Sequence, residues 1–341
     1  MRLIFFLSFL IIGGQSFSQN HELLRSRGML SLALFGTAKS ITLYELKQQA
    51  MPGEAIKGDK KKIIVETAEF CNEIIMSGRL MINDSLSSYA NQVLDQLLKD
   101  DQVLRKKLKV YFYYSAGTNA ITLSNGMIII ELGLMAHVKN EAQLAFILAH
   151  EITHYRQGHM LKGYLNREEL KEKSSTTPQY LLLSSYYSYN QDQELEADKM
   201  GFELYKKSPY SVREALRSFD VLDYSDLPFD DVPFDTTFFN KDYMTIPAGY
   251  FMKDVDPIYS DDNYEDRNST HPNVRKRRMA LMTEVDTVKN AGTHLYAVSK
   301  DEFLSVRETA RYEICRLYLI ERNYPGAIYA CLLYTSPSPR D

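Results

Sequence analysis

The chain has 341 residues, of which 45% are hydrophobic, and its 40 Lys and Arg against 44 Asp and Glu give a formal net charge of -4. That length can form one large domain or two ordinary ones, each with a buried core. The slightly acidic balance offers no basic field, so we expect no nucleic acid as a partner. The three cysteines, Cys71, Cys315 and Cys331, include no closely spaced pair of the kind found in zinc knuckles.

The start of the chain has the layout of a secretory signal peptide, residues 1–18. Arg2 precedes an apolar block from Leu3 to Ile12, and small residues follow up to Ser18. The block is about half as long as the roughly 20 apolar residues that span a bilayer. We therefore predict cleavage, no transmembrane anchor in the mature protein, and export to the periplasm, with secretion as the alternative. Peripheral envelope association is compatible with this, and residues 19–62 are predicted to form an N-terminal arm or linker.

The next segment predicts helices followed by a small sheet. Apolar residues recur at helical spacing from Ile63 to Lys99, with a restart after Asp84, a residue suited to a helix N-cap. Residues 108–115 and 126–133 are rich in branched and aromatic side chains, and the turn-rich letters NAITLSNG lie between them. We expect two helices and then two or three strands.

Two further helices are predicted downstream. Asn140 opens the first, which runs through the letters FILAHEITHYRQGHM at 146–160. Glu141 lies in its first turn, where the helix dipole favours negative charge. The second helix spans 188–207. Between 208 and 268, Asp, Pro, Phe and Tyr alternate without a steady period, which indicates an irregular insertion of the kind that forms lids or binding walls.

The end of the chain predicts the start of a helical repeat at 300–330. Four residues are spaced as in one tetratricopeptide helix pair: Tyr318, Tyr324, Ala327 and Ile328. One repeat cannot bury its own apolar face, so further repeats and a protein partner for them are expected. Residues 331–341 end in the letters TSPSPRD, do not continue the pattern, and are interpreted as a non-native tail.

The letters HEITH place three polar groups on one flank of an apolar helix. His150 and His154 are four residues apart, so they project about 40° from one another, and Glu151 lies on the same flank. Neutral imidazoles at this spacing can bind one tetrahedral zinc ion and leave the intervening carboxylate near the metal-bound water. The alternative is a helix whose core histidines are satisfied by hydrogen bonds.

A second motif, ELEAD, offers the third ligand that a zinc ion held by two histidines needs. Glu194 and Asp198 share a helix face, so Glu194 can bind the metal while Asp198 accepts a hydrogen bond from a ligating histidine. The alternative is a solvated acidic helix face, which is the prediction for Glu196. His137 and His159 are expected to be structural or surface residues.

Together these motifs resemble the zinc metallopeptidases of the HtpX and CaaX-prenyl-protease superfamily, and more closely a soluble, exported branch with C-terminal tetratricopeptide repeats. The resemblance covers residues 63–291. Its motifs, in chain order, are NAITLSNGMIIIELGL, NEAQLAFILAHEITHYRQGH, ELEAD and STHPNVRKR. It implies an α+β, mostly helical fold: a gluzincin-type zinc peptidase domain with a small β-sheet beside the HExxH helix. It also implies Glu194 as third ligand, but not prenylated-protein processing, since the spanning helices of the membrane-bound relatives are not found.

The last of these motifs contains His271 and Arg277. Two roles at a zinc centre suit His271. It donates a hydrogen bond to an oxyanion, with Arg277 in support, or it occupies the open metal position and holds the enzyme inactive. The alternative is a surface histidine before a proline turn.

The predicted function is that of a zinc metalloendopeptidase with one zinc ion per chain. His150, His154 and Glu194 would hold the zinc, and Glu151 would take a proton from the bound water as it attacks a peptide carbonyl. NAITLSNG resembles the edge strand on which family members align an extended polypeptide, which predicts loose sequence preference. Exported, misfolded or misassembled proteins are the expected substrates. The alternative is an envelope protein assembly or chaperone factor whose repeats bind partners and whose zinc site is normally shut.

Overall fold

The structure is a computed structural model, and it describes residues 24–26, 72–160, 191–223, 225, 240–250, 274–289 and 291–335. Predictions on other residues lie outside the described part of the chain: the signal peptide, the N-terminal arm apart from residues 24–26, most of the irregular insertion, and His271. The predicted tail is described only as far as residue 335.

The described fold is α+β and mostly helical, as the sequence predicts. Residues 72–76 are helical and precede the labelled elements. These are, in chain order, α1 (Ser85–Leu97), α2 (Gln102–Arg105), β1 (Lys109–Tyr113), β2 (Ala120–Thr122), β3 (Met127–Glu131), α3 (Leu132–His137), α4 (Glu141–Gln157), α5 (Gln191–Tyr205), α6 (Arg213–Arg217), α7 (Phe219–Asp223), a 3-10 turn (Ala248–Tyr250), α8 (Val274–Val285), α9 (Lys300–Ile320) and α10 (Tyr324–Thr335).

The sheet has three strands in the order β1-β3-β2. β3 runs parallel to β1 and antiparallel to β2, with Ile121 opposite Ile129. The turn-rich letters between the two predicted strands thus contain the third strand, β2, which lies at the edge. Beyond β1, an isolated bridge joins Leu80 to Tyr113. β2 packs against α4, so this edge of the sheet lies beside the HExxH motif.

Helix α4 runs through the interior. Its N-cap is Asn140, whose side chain accepts a hydrogen bond from the backbone N–H of Gln143 at 3.0 Å. It ends at Gly158, whose φ of 61° is the left-handed conformation that glycine adopts without strain. Leu148 and Ile152 are fully buried, and the polar side chains of the HExxH motif are buried with them. Those polar groups must therefore find their partners inside the protein.

Helix α5 approaches α4 closely at a glycine. A Cβ on Gly201 would lie 3.0 Å from the Ala149 carbonyl oxygen and 3.0 Å from the His150 nitrogen. Gly201 is seven residues after Glu194, two turns along the helix, so the two share a face. The lack of a side chain at Gly201 lets this face, with Glu194 on it, reach the HExxH motif.

Glu141 fastens the segment before α9 to the domain. Its fully buried carboxylate accepts hydrogen bonds from five donors: the hydroxyls of Tyr89 and Tyr210 and the backbone N–H groups of Ala297, Val298 and Ser299. Burial and the adjacent carboxylate raise the pKa of Tyr89 and of Tyr210 well above the usual value, so both hydroxyls remain donors. The sequence predicts only the favourable place of Glu141 in the helix dipole; its five-donor site depends on distant segments.

The C-terminal helices pack against each other. α9 and α10 are joined by the short connection 321–323, and Ala327 and Ala330 are buried. Tyr324 and Ile328 are 57% and 53% exposed. The helix pair lies where the repeat is expected, and its assignment as a tetratricopeptide repeat stays a prediction. Among the helices in the described ranges, none combines the length and apolarity that a membrane span requires.

Candidate metal centre

The HExxH motif directs two imidazole rings at one point. The Nε2 atoms of His150 and His154 are 2.8 Å apart, and both side chains are buried. Their spacing produces this arrangement, because residues four apart on a helix lie one turn apart on the same face.

Helix α5 brings the carboxylate of Glu194 to the same point. Its Oε2 lies 3.6 Å from His150 Nε2, and its Oε1 lies 3.5 Å from His154 Nε2. Glu194 is fully buried, so its charge needs compensation inside the protein. Glu151 adjoins the two rings: one ligand atom each from His150, Glu151 and His154 lie within 4.8 Å of one another. This buried group could bind a metal ion.

Asp198 orients the ring of His150. Its Oδ1 lies 2.9 Å from His150 Nδ1, where the ring N–H donates to the carboxylate. Donation from Nδ1 leaves the lone pair on Nε2, which faces His154. The tautomer that suits a metal ligand therefore follows from this contact.

Arg277, on α8, pairs with both acidic side chains of α5. Its Nε and Nη2 donate to the Asp198 carboxylate at 2.6 and 2.7 Å, and its Nη1 lies 2.6 Å from Glu194 Oε2. Burial alone would raise the pKa of Asp198, but Arg277 and His150 more than offset it, and that pKa lies well below its usual range. Burial would lower the pKa of Arg277, but the carboxylates hold it above its ordinary value. Asp198 and Arg277 are therefore both charged.

His159 lies behind the ring of His154. It follows the end of α4 at Gly158, is fully buried, and places its Nδ1 2.9 Å from His154 Nδ1. Its Nε2 lies 3.1 Å from Glu196 Oε2. The sequence predicts neither contact, although the glycine that ends the helix and turns the chain back before His159 is a signal that points to it.

The donor set fits a zinc ion. His150 Nδ1 faces Asp198 and His154 Nδ1 faces His159, so both rings can present an Nε2 lone pair to the same point. Two lone pairs 2.8 Å apart repel each other unless a cation or a proton lies beside both. Two imidazole nitrogens and a carboxylate are a ligand set that zinc takes in catalytic sites.

Glu151 is held in place by a residue of the sheet. The hydroxyl of Thr122, on β2, donates to Glu151 Oε2 at 2.7 Å, and both residues are almost completely buried. The sequence indicates an edge strand here but does not single out Thr122. The sequence feature that points to Thr122 is its hydroxyl side chain in the strand expected beside the HExxH helix.

A partly open cleft lies beside these residues. Its lining is mostly apolar, apart from Ser218 and four side chains of the candidate metal centre. It is formed by Ala120, Leu134, Phe146, Ile147, His150, Glu151, Asp198, Ser218, Phe219, Val221, Leu222 and Arg277. An apolar cleft with a few convergent polar groups is the usual form of a ligand site.

The structure thus brings together all predicted site residues that it describes. The HExxH residues, Glu194, Asp198 and Arg277 converge on one centre, while His271 lies outside the described residues. The guanidinium of Arg277 contacts the carboxylates of Glu194 and Asp198 on α5, and its support of an oxyanion stays a prediction. Glu196 is partly solvent-exposed, as predicted, but also contacts His159.

Part of the chain matches a known protein family. Residues 86–172 match the model of peptidase family M48. This M48 segment contains the sheet and α4 with His150, Glu151 and His154, but not α5 or α8. The match supports a metal-dependent peptidase, and the buried His150-Glu151-His154 group agrees with it.

The chain is also similar to the beta-barrel assembly-enhancing protease of Yersinia pestis. The two are 22% identical over 162 residues, which cover 41% of this chain and 33% of that protein. The chain therefore matches only about a third of the length of this relative. Together with the M48 segment, the similarity supports a metallopeptidase, whose substrates are polypeptides.

Proposed function

We propose that the protein is a zinc-dependent metalloendopeptidase that cleaves exported, misfolded or misassembled proteins. The observation that carries the proposal is the convergence of His150 Nε2, His154 Nε2 and the Glu194 carboxylate on one buried point. Glu151 and the apolar cleft lie beside this point. A site built only to hold a metal has no use for a further carboxylate, that of Glu151, next to the ligands.

His150, His154 and Glu194 would hold the zinc ion. When bound there, zinc supplies a water of lowered pKa and a Lewis acid for a peptide carbonyl. Asp198 fixes the ring orientation of His150, and Arg277 keeps the carboxylates of Glu194 and Asp198 in place. The ligand set is thus preorganised by contacts that the protein makes itself.

Glu151 acts as the general base and then as the acid. Thr122 holds its Oε2, so Oε1 is the oxygen that takes a proton from water and delivers it to the leaving amine. The apolar walls of the adjacent cleft, Phe146 and Phe219 among them, favour apolar side chains of an unfolded substrate. His271 would stabilise the oxyanion or block the metal position; the variant His271→Ala lowers activity in the first case and raises it in the second.

The substrates and the location are also part of the proposal. The relative from Yersinia pestis is named for enhancing β-barrel assembly, and this chain begins with a signal-peptide pattern. Both observations favour exported proteins as substrates and the periplasm as location, with secretion as the alternative and the C-terminal helices as a surface for a protein partner. The mention of assembly in this name favours a second candidate function, an envelope assembly or chaperone factor. In this alternative the zinc site would normally be shut.

Zinc analysis combined with casein cleavage tests the proposal. The purified protein should contain one zinc ion per chain and cleave unfolded casein. His154→Ala and Glu194→Ala should lose both zinc and cleavage, since each removes a ligand. A parent protein that holds zinc and does not cleave casein would favour the assembly factor. A Glu194→Ala variant with full zinc content would exclude Glu194 as a ligand.

A further inference from the structure

Thr122, in the short edge strand β2, contacts the carboxylate of Glu151. Its hydroxyl donates to Glu151 Oε2 at 2.7 Å, and the exposed fractions of Thr122 and Glu151 are 2% and 1%. The two residues come from different elements, β2 and α4, which pack against each other. The contact therefore depends on the tertiary fold.

The alternation of strand β2 places Thr122 on the side of the metal centre. Ala120, two residues earlier, lines the cleft together with His150 and Glu151. Ile121 points to the opposite side and packs against an apolar cluster that includes Tyr111 and Ile129. A threonine on the buried side is costly unless its hydroxyl is hydrogen-bonded. The packing at this position needs only a β-branched side chain, so the hydroxyl is explained by the carboxylate that accepts from it.

The backbone N–H and C=O groups of Thr122 lie on the side of β2 that faces away from β3. Glu131 N–H donates to Asn119 O at 2.9 Å, and Leu123 N–H donates to Met127 O at 2.8 Å. Since backbone groups alternate along an antiparallel strand, those of Thr122 point away from β3. An extended peptide added to this edge would form its hydrogen bonds there. The residue that meets the substrate backbone is thus the residue that holds the general base.

We propose that Thr122 is a positioning residue that fixes the carboxylate of Glu151 and links it to the strand on which the substrate lies. The inference rests on the proposed peptidase function. A hydrogen bond to Oε2 restricts rotation of the carboxylate and leaves Oε1 aimed for proton transfer. Loss of the hydroxyl leaves the metal ligands, the strand backbone and the apolar packing intact. It therefore affects the chemical step more than substrate or metal binding.

Three variants of Thr122 test this inference in the full-length protein. Thr122→Val keeps the shape and removes the hydroxyl, Thr122→Ser keeps the hydroxyl, and Thr122→Ala controls for a failure of valine to fold. We expect the valine and alanine variants to lower kcat for an unfolded casein peptide roughly 10- to 100-fold, with KM and zinc content unchanged. Serine should restore most of kcat. Ile129→Val, on the neighbouring strand β3 and in an apolar cluster with Tyr111, should behave as the parent.

A binding measurement provides a readout apart from turnover. A peptide hydroxamate ligates zinc and donates a hydrogen bond to the general-base carboxylate, so calorimetry reports the position of Glu151 directly. Thr122→Val should bind it about tenfold more weakly than the parent or Thr122→Ser. Valine and alanine variants with parental kcat and hydroxamate affinity, or a serine variant as impaired as valine, would overturn the role of Thr122. A zinc-loaded parent that cleaves no casein would instead overturn the peptidase proposal.

Discussion

The Nδ1 atoms of His154 and His159 lie 2.9 Å apart in the interior of the protein. For His154 to keep its Nε2 lone pair for a metal, its Nδ1 must carry the proton and donate to His159. His159 Nε2, in turn, is 3.1 Å from Glu196 Oε2 and can donate to that carboxylate. The contacts from Glu196 through His159 thus fix the tautomer of His154, as Asp198 fixes that of His150.

This relationship predicts that His159→Ala weakens zinc binding about 10- to 100-fold, the usual cost of losing a hydrogen-bond partner behind a metal ligand. Competition with a chromophoric chelator measures the affinity. His137→Ala is the matched control, because His137 is also buried but contacts the Gly133 carbonyl oxygen, at 2.7 Å. Equal zinc affinities of the two variants would contradict the role of His159.

Arg277→Met should destabilise the metal-free protein strongly, because it leaves the carboxylates of Glu194 and Asp198 buried without their cation. Breaking a buried ion cluster in this way costs about 3 to 5 kcal/mol of the free energy of unfolding. Urea unfolding in the presence of a chelator measures the loss. Arg278→Met serves as control, since Arg278 pairs with the more exposed Asp220 and Asp223 and its loss should cost about 1 kcal/mol or less. A similar loss in both variants would argue against the buried cluster.

Gly201→Ala should lower stability even though alanine is the better helix former. The added Cβ would lie 3.0 Å from the backbone of the HExxH helix, and relieving the overlap costs about 1 to 3 kcal/mol. Separation of α4 from α5 also moves Glu194 from the two histidines, so zinc affinity should fall in parallel. Gly249→Ala, where a Cβ meets nothing within 4 Å, controls for the loss of glycine itself. Unchanged melting temperature and zinc affinity in Gly201→Ala would exclude this tight contact.

Glu141→Ala should release the segment before α9 and lower the free energy of unfolding by about 3 kcal/mol or more. The substitution leaves two tyrosine hydroxyls and three backbone N–H groups without their acceptor, each at a cost of about 1 kcal/mol or more. Hydrogen exchange should show faster exchange of the Ala297, Val298 and Ser299 amides. Exchange at the parental rate would mean that the carboxylate does not hold this segment.

Much of the site follows from local spacing, and the sequence predicts that part. The i, i+4 pairs in HEITH and ELEAD each put their residues on one helix face, whatever the rest of the fold does. Asp84 and Asn140 begin their helices as predicted, because an N-cap needs only the residues beside it.

The remainder of the site depends on contacts between segments far apart in the chain. Thr122 reaches Glu151 only because β2 packs on α4, and Arg277 reaches Glu194 only because α8 packs on α5. His159 is directed inward by the left-handed turn at Gly158. No periodicity in the sequence encodes such contacts.

The most direct test of the peptidase proposal is the Glu151→Gln variant, measured for zinc content and for casein cleavage. Glutamine keeps the shape and can still accept the Thr122 hydrogen bond, but it cannot take a proton from water. We predict full zinc content together with a fall in turnover of roughly 10²- to 10⁴-fold. Casein cleavage by Glu151→Gln at the rate of the parent would contradict the proposed function.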